Sequence, residues 1–163
     1  MSEMQKGLVT GSDHPLRIAV ISDTHNFLPQ SVEDAIAGAD EIWHLGDVCR
    51  SDILDRVRKL GPPVIVVRGN NDSQQTWPLE ISLKRNGLTF RLIHIPPALS
   101  NLGKTDVLLH GHTHVPRDVV INGVRILNPG AIGKAHKGAP PSYAWLELGH
   151  QGTINWKVLP HDP

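Results

Sequence analysis

The chain contains a single cysteine, Cys49, and a lone thiol excludes an internal disulfide framework. A surplus of one charge is missing as well: Lys plus Arg and Asp plus Glu each total 16, for a formal net charge of +0. That balance gives no support for nonspecific binding to nucleic acid or to an anionic membrane. No apolar run approaches the roughly 20 residues of a membrane-spanning helix, and the first residues lack the hydrophobic region of a signal peptide. The expectation is a soluble, cytoplasmic protein. Internal repeats, linkers and low-complexity blocks are also lacking, so the 163 residues, 39% of them hydrophobic, read as one domain with room for a core. Residues 1–15 are polar and contain Gly and Ser, which predicts a loose tail ahead of a domain at 16–163.

Histidine is abundant, with ten copies, and several of them sit where hydrophobic runs end. LRIAVIS runs into Asp23-Thr24-His25, EIWHL into Gly46-Asp47, and VIVVR into Gly69-Asn70-Asn71-Asp72. RLI meets His94, and DVLL runs into His110-Gly111-His112-Thr113-His114. Short β-branched and leucine-rich runs bounded by turns predict buried strands, and sites in open α/β sheets form beyond the carboxyl ends of such strands. Five ends of similar chemistry point to one site.

Between the first three runs, residues 31–37 (SVEDAIA) and 51–60 (SDILDRVRKL) have helical spacing, each with a serine expected as N-cap; Gly38 and Gly61-Pro62-Pro63 are stop signals. The order through Arg68 is therefore β-α-β-α-β. From Ile81 onward the pattern predicts hairpins, at Asn86-Gly87, at Asn122-Gly123, and between SYAWLEL and TINWKVL. The expected fold class is α+β: two packed mixed sheets flanked by helices, an αββα sandwich.

Asp23, His25, Asp47, Asn70, His94, His112 and His114 form a nitrogen and oxygen ligand set with carboxylates able to bridge. Two divalent ions about 3.5–4 Å apart can clamp phosphate oxygens and turn a bridging water into hydroxide. Only two of the seven are anionic, so two dications would leave a field of roughly +2 that favours an anionic phosphoester. The lack of thiolate among them argues against a structural Cys-type zinc site. In Asp23-x-His25 and His112-x-His114, extended backbone would point both side chains the same way. Gly46, Gly69 and Gly111, each just ahead of a candidate ligand, would permit close approach.

Asp23-Thr24-His25, Gly46-Asp47, Gly69-Asn70-Asn71-Asp72, His94, Gly111-His112-Thr113-His114 and the later Asn128-Pro129-Gly130-Ala131 together resemble the calcineurin-like metallophosphoesterases, in their compact bacterial and archaeal phosphodiesterase branch. The resemblance runs from about Leu16 to Leu148. It implies that Asp23, His25 and His114 hold one metal, that Asn70, His94 and His112 hold the other, and that Asp47 bridges them. It implies two divalent ions, with Mn favoured over Fe, Ni, Co or Zn, and hydrolysis of a small phosphodiester by a metal-bridging hydroxide, with Asp47, Asn71 and His112 at the chemistry. Homo-oligomerisation is left open. Asn71 stands where larger relatives carry a histidine that helps protonate the leaving group, and its presence favours substrates with good leaving groups. His94 is followed by Ile95-Pro96-Pro97 instead of the Gly-His of many relatives, which reshapes the pocket wall. The alternative is a noncatalytic interaction scaffold on the same fold, as in the retromer scaffold protein; a third reading is metal storage or a structural metal.

Other residues have plainer expectations. His44, inside EIWHL, reads as a satisfied buried histidine, and His110 either as a residue supporting a ligand from behind, the favoured reading, or as merely the end of a strand. Asp72 either orients a ligand histidine or forms an Asx turn, and Cys49 is a small filler beside the site. Lys134 and Lys137 either touch substrate phosphate or simply solvate their loop. His14, His136, His150 and His161 read as exposed, and Trp43, Trp77, Trp145 and Trp156 as core or interface aromatics.

Overall fold

A computed structural model describes residues 14–133 and 139–161. Most of the expected tail, and Lys134, His136 and Lys137, lie outside the described residues.

LRIAVI forms β1 (Leu16–Ile21), in which Ile18 and Val20 face one hydrophobic cluster while Ala19 and Ile21 face another. A strand buried on both faces must be apolar at every position, which explains why this run does not alternate with polar residues. The chain continues through α1 (Gln30–Ile36), β2 (Glu41–His44), α2 (Ser51–Arg58) and β3 (Val64–Val66). β1 pairs parallel to β2 (Ile18↔Glu41 to Ile21↔His44) and β2 to β3, as the β-α-β-α-β order predicts.

Both helix starts differ from the expectation. α1 begins one residue before Ser31, with Pro29 as N-cap, and α2 begins at Ser51 itself, with Arg50 as N-cap; neither has a side-chain cap. Pro29 sets the first start through its fixed φ of −68°. A tertiary contact, Arg50 N donating to Asn26 Oδ1 at 2.7 Å, pins the second.

The second half supplies β4 (Glu80–Arg85), β5 (Leu88–Ile93), β6 (Val107–Leu109), β7 (Arg117–Ile121), β8 (Val124–Asn128), β9 (Ser142–Leu148) and β10 (Ile154–Pro160). The hairpins β4–β5, β7–β8 and β9–β10 form as expected. The first two turn on Asn86-Gly87 (φ 49° and 80°) and Asn122-Gly123 (φ 52° and 78°), the doubly positive pattern whose twist suits two-residue hairpins. β6 departs from the hairpin reading, because it pairs parallel to both β5 and β8. The crossover into it passes through a 3₁₀ turn at Leu99–Asn101, and DVLL carries no tight-turn signal of its own.

The first sheet has the order β10-β9-β1-β2-β3 and the second β4-β5-β6-β8-β7. Ile18, Val20, Trp43 and Leu45 from the first meet Phe90, Leu92, Leu109 and Leu127 from the second, with Trp43 and Phe90 edge to face at 5.5 Å. On the outer face of the first sheet, Val32, Ile36, Ile53, Leu54 and Val57 of the two helices cover Ala19, Ile21 and Ile42. Among the described residues both α-helices belong to this face. A smaller cluster of Leu102, Leu108, Val124 and Ile126 forms on the second sheet instead. No helix of the described residues is long and apolar enough to cross a membrane.

Candidate metal centre

The loops that leave β1, β2, β3, β5 and β6 meet, so the five run-ends do form one cluster. Asp23 Oδ1 lies 3.1 Å from His114 Nε2 and 3.5 Å from His25 Nε2. Asp47 Oδ2 lies 3.5 Å from His25 Nε2 and 3.4 Å from His94 Nε2. The rings of His25 and His114 approach to 5.2 Å, and those of His94 and His112 to 5.3 Å, so one histidine pair lies near each side of the two carboxylates.

The ligand atoms of Asp23, His25 and His114 fall within 4.8 Å of one another, as do those of Asp23, Asp47 and His94. The first trio is the one the resemblance implies. In the second, Asp23 joins Asp47 and His94. Asn70 and His112, both exposed, hydrogen-bond each other at 3.1 Å (Oδ1 to Nδ1).

The backbone that brings them together is not extended. Asp23, His25, Asp47, His112 and His114 all have positive φ, from 45° to 72°. The expectation of strand-like geometry in Asp23-x-His25 and His112-x-His114 is therefore corrected: left-handed turns crowd these side chains inward. Such a conformation costs roughly 1–2 kcal/mol per non-glycine residue, and its concentration here fits strain stored at a working site. The glycines serve close approach as expected. A Cβ on Gly69 would collide with the Asp47 carboxylate, and one on Gly111 with Ser22 Oγ and Asp23 Oδ2.

Supporting hydrogen bonds aim the carboxylates. Ser22 Oγ (2.6 Å) and His112 N (3.1 Å) donate to Asp23 Oδ2, which leaves Oδ1 toward the histidines. Asn71 donates to Asp47 through its backbone N (2.9 Å, Oδ1) and its amide Nδ2 (2.8 Å, Oδ2). Asp72, 1% exposed, corrects both of its expected roles, since it holds backbone and not a histidine. Its carboxylate accepts from Asp47 N, Gly69 N and Cys49 N, each at 2.8 Å, and so ties the Asp47 loop to the Gly69-Asn70 loop. The sequence gives no signal for this beyond an acidic residue near the motif. His94 Nδ1 donates to Leu45 O at 2.7 Å and turns Nε2 to the site.

His44 is fully buried and satisfied, as expected: Gly46 N donates to its Nδ1 (3.1 Å), and its Nε2 meets Thr24 Oγ1 (3.1 Å). His110 bonds Gly111 O at 2.8 Å and receives Arg117 Nη1 at 3.2 Å, so it braces the Gly-His-Thr-His loop. Asn128 donates to Thr113 Oγ1 (3.0 Å) and Gly111 O (3.3 Å), while Ile132 N and Gly133 N bond Ser22 O and Asp23 O at 3.0 Å. Asn128 and the two residues that follow the Asn-Pro-Gly-Ala segment thus tie two ligand loops together. Cys49 Sγ touches His25 Nδ1 at 3.8 Å. Among the remaining expectations, His14 and His150 are exposed, whereas His161 is half-buried, its ring centroid 6.5 Å from that of Tyr143.

Buried ligand atoms gather here: Asp23 Oδ1 lies 3.5 Å from His25 Nε2 and 3.8 Å from His94 Nε2. A buried carboxylate oxygen set among imidazole nitrogens is satisfied either by protons on the rings or by a shared cation. Burial, first, and then the nearby carboxylates push the Cys49 thiol up to about 11, so it stays protonated. The donors are therefore imidazole nitrogens and carboxylate oxygens, which fits first-row divalent ions.

Burial opposes charge on Asp23, but hydrogen bonds with His114, His25 and Ser22 hold its carboxyl well below the usual range. Burial likewise opposes charge on Asp47, while contacts to His94 and Asn71 bring it down to about 2. The hydrogen bond to Asp23 raises His25; for His94, burial works against protonation but Asp47 and Asp23 outweigh it and raise it too. Protons on these rings compete with metal, and a raised pKa keeps them bound to higher pH. Metal affinity should therefore climb between pH 6 and 8, by up to about tenfold per pH unit for each proton displaced. Calorimetric titration with Mn²⁺ checks this; a pH-independent affinity over that range would refute it.

Comparison with known proteins gives the same direction. Residues 16–151 match the family model described as a calcineurin-like phosphoesterase superfamily domain. A probable metallophosphoesterase of Methanocaldococcus jannaschii is 38% identical over 130 residues, 70% of this chain and 67% of the archaeal protein. The phosphodiesterase YfcE of Escherichia coli is 27% identical over 161 residues, 81% of this chain and 88% of that protein. The structure of vacuolar protein sorting 29 from Cryptosporidium parvum shares the fold at a TM-score of 0.74 with 21% identity, covering 93% of this chain and all of that one. With its two packed mixed sheets, its cluster of carboxylates and imidazoles and a family match over most of its length, the chain belongs to the calcineurin-like phosphoesterase superfamily.

Proposed function

We propose that the protein hydrolyses phosphodiesters with two divalent ions, one held by Asp23, His25 and His114 and the other by Asn70, His94 and His112, with Asp47 between them. The observation that carries this reading is the convergence of ligand atoms, Asp23 with His25 and His114 and Asp23 with Asp47 and His94, each group within 4.8 Å, bordered by the exposed Asn70 and His112. Bound there, the ions would neutralise charge on the phosphate and make water a competent nucleophile near neutral pH. Mn is favoured, and Fe, Ni, Co and Zn suit the same donors.

The chain's own contribution is orientation. Asn71 donates to Asp47 and supplies no acidic proton to a departing alkoxide. A general acid is worth about 10²–10⁴-fold, most of all for poor leaving groups, so activated diesters are the favoured class. The phosphodiesterase name of the Escherichia coli relative supports the same class. A noncatalytic scaffold is the rival; the left-handed backbone that gathers five candidate ligands supports the enzyme reading over it.

Elemental analysis after metal loading, followed by rates on bis-p-nitrophenyl phosphate, p-nitrophenyl phosphate and alkyl monoesters, tests the proposal. The expected result is two ions per chain and a rate that falls steeply as the leaving-group pKa rises. At most one ion per chain sinks the two-metal reading. No hydrolysis of any ester favours the scaffold, and alkyl monoesters outpacing aryl diesters would remove the diester assignment.

A further inference from the structure

A cleft of about 290 Å³ opens directly beside Asn70 and His94, and both residues form part of its wall. Its apolar wall is formed by Leu79 just ahead of β4, Ile93 at the end of β5, and Ile95, with Arg68, Gly69 and Glu80 completing the lining. Leu79 and Ile95 are 58% and 48% exposed and line the same cleft. Both are held in place. Arg68 N donates to Pro78 O at 2.8 Å, which ties the Leu79 segment to the Gly69-Asn70 loop. Glu80 pairs with Ile93 in the β4–β5 ladder, and Pro96-Pro97 restrict the backbone after Ile95.

The two charged side chains at this cleft are both anchored by other groups of the protein. Arg68 Nη1 donates to Gln75 O at 3.2 Å, and the Glu80 carboxylate is paired with Arg91 at 2.6 Å. The Glu80 charge is thereby paired, whereas the Arg68 guanidinium is anchored through a neutral carbonyl and keeps its charge. A preformed, apolar cavity of this size lies at the small end of ligand pockets, which suits one ring-sized group and not a larger polar one.

We infer that this cleft is a specificity subsite for an apolar aryl or branched alkyl arm of the phosphoester substrate, with Leu79, Ile93 and Ile95 as its contact residues. The inference rests on the proposed phosphodiesterase reading, because a phosphate between Asp47, Asn70 and His94 would place one of its ester arms against these walls. The arm gains affinity by leaving water, and the effect is independent of leaving-group chemistry.

Phenylphosphonate and methylphosphonate, which present the same anion with different arms, test this on Mn²⁺-loaded protein. Calorimetry and competitive inhibition of bis-p-nitrophenyl phosphate hydrolysis provide two readouts. Phenylphosphonate is expected to bind about 10- to 100-fold more tightly, the range for burying one ring-sized apolar group. The double variant Leu79→Ser, Ile95→Ser removes exposed side chains and leaves the hydrophobic core intact. It should lose most of that preference and bind methylphosphonate like the wild type. Hydrolysis with equal affinity for the two phosphonates, or a preference that survives the double variant, overturns the subsite alone. No hydrolysis and no binding of either phosphonate overturns the phosphodiesterase reading and the subsite with it.

Discussion

Asp47→Asn should fold like the wild type, retain at most one metal ion per chain, and lose about three orders of magnitude in diester hydrolysis. Asp47 is 2% exposed, with Oδ2 within 3.5 Å of His25 Nε2 and 3.4 Å of His94 Nε2. Asp23, the carboxylate common to both groups of ligand atoms, lies 3.5 and 3.8 Å from the same two histidines, so the bridging role proposed for Asp47 is what this variant decides. Asparagine is nearly isosteric and tolerates the φ of 56° at this position, whereas alanine there would add backbone strain to the chemical change. Asp47→Ala should thus show the same metal loss with lower stability, which separates charge from conformation. Metal centres supply several kcal/mol of transition-state stabilisation, and three decades of rate correspond to about 4 kcal/mol. Elemental analysis and rates at saturating Mn²⁺ measure both effects. Two ions retained by Asp47→Asn, or activity within tenfold of the wild type, would show that Asp47 does not bridge.

The fold was largely legible because its strongest signals are local. LRIAVI, EIWH and VIV are buried strands whose apolar runs have no polar alternation to confuse, and both Asn-Gly pairs specify hairpins by φ alone. What escaped was set by contacts distant in sequence. Ser31 and Ser51 look like caps, yet Pro29 and the Asn26–Arg50 bond fix the helix starts. The parallel pairing of β6 depends on a crossover with no sequence signature of its own. Helix placement against the first sheet follows from which outer face the cluster of Val32, Ile36, Leu54 and Val57 covers, and a linear pattern does not encode that choice.

At the site, residue types at strand ends identified the cluster, whereas its internal wiring stayed hidden. Asp72 looks like a turn residue, but 25 positions from Asp47 it accepts that residue's N–H and holds two loops together. Asn71 suggested a missing acid, and the structure adds that its amide is engaged with the Asp47 carboxylate. The i, i+2 spacing of the histidine motifs was informative for a reason other than extended geometry, since left-handed turns turn the side chains inward.

Metal-free protein should be sensitive to mild acid, and His44 should account for a large part of it. His44 is fully buried beneath the site, its Nδ1 accepting from Gly46 N and its Nε2 against Thr24 Oγ1. Burial, partly offset by Asp23 and Asp72, brings its pKa down to about 4, and burial does the same for His110. A histidine held neutral in the folded state contributes stability that is fully present above its unfolded pKa, near 6.5, and is lost as pH falls toward 4. For His44 that loss is about 3 kcal/mol, a large share of the total stability of a typical domain. His25 and His94 work in the opposite sense, because their raised pKa values favour the folded state below 6.5 and lose that contribution as pH rises through them. The wild-type slope is therefore a sum of opposing terms, and His44→Gln isolates one of them. Urea unfolding in EDTA from pH 4.5 to 6 should give a pH slope shallower by roughly 1 kcal/mol per unit in the variant, whatever its stability at pH 7. An unchanged slope would mean that His44 takes up its proton without unfolding, with its hydrogen bonds to Gly46 and Thr24 too weak to keep it neutral.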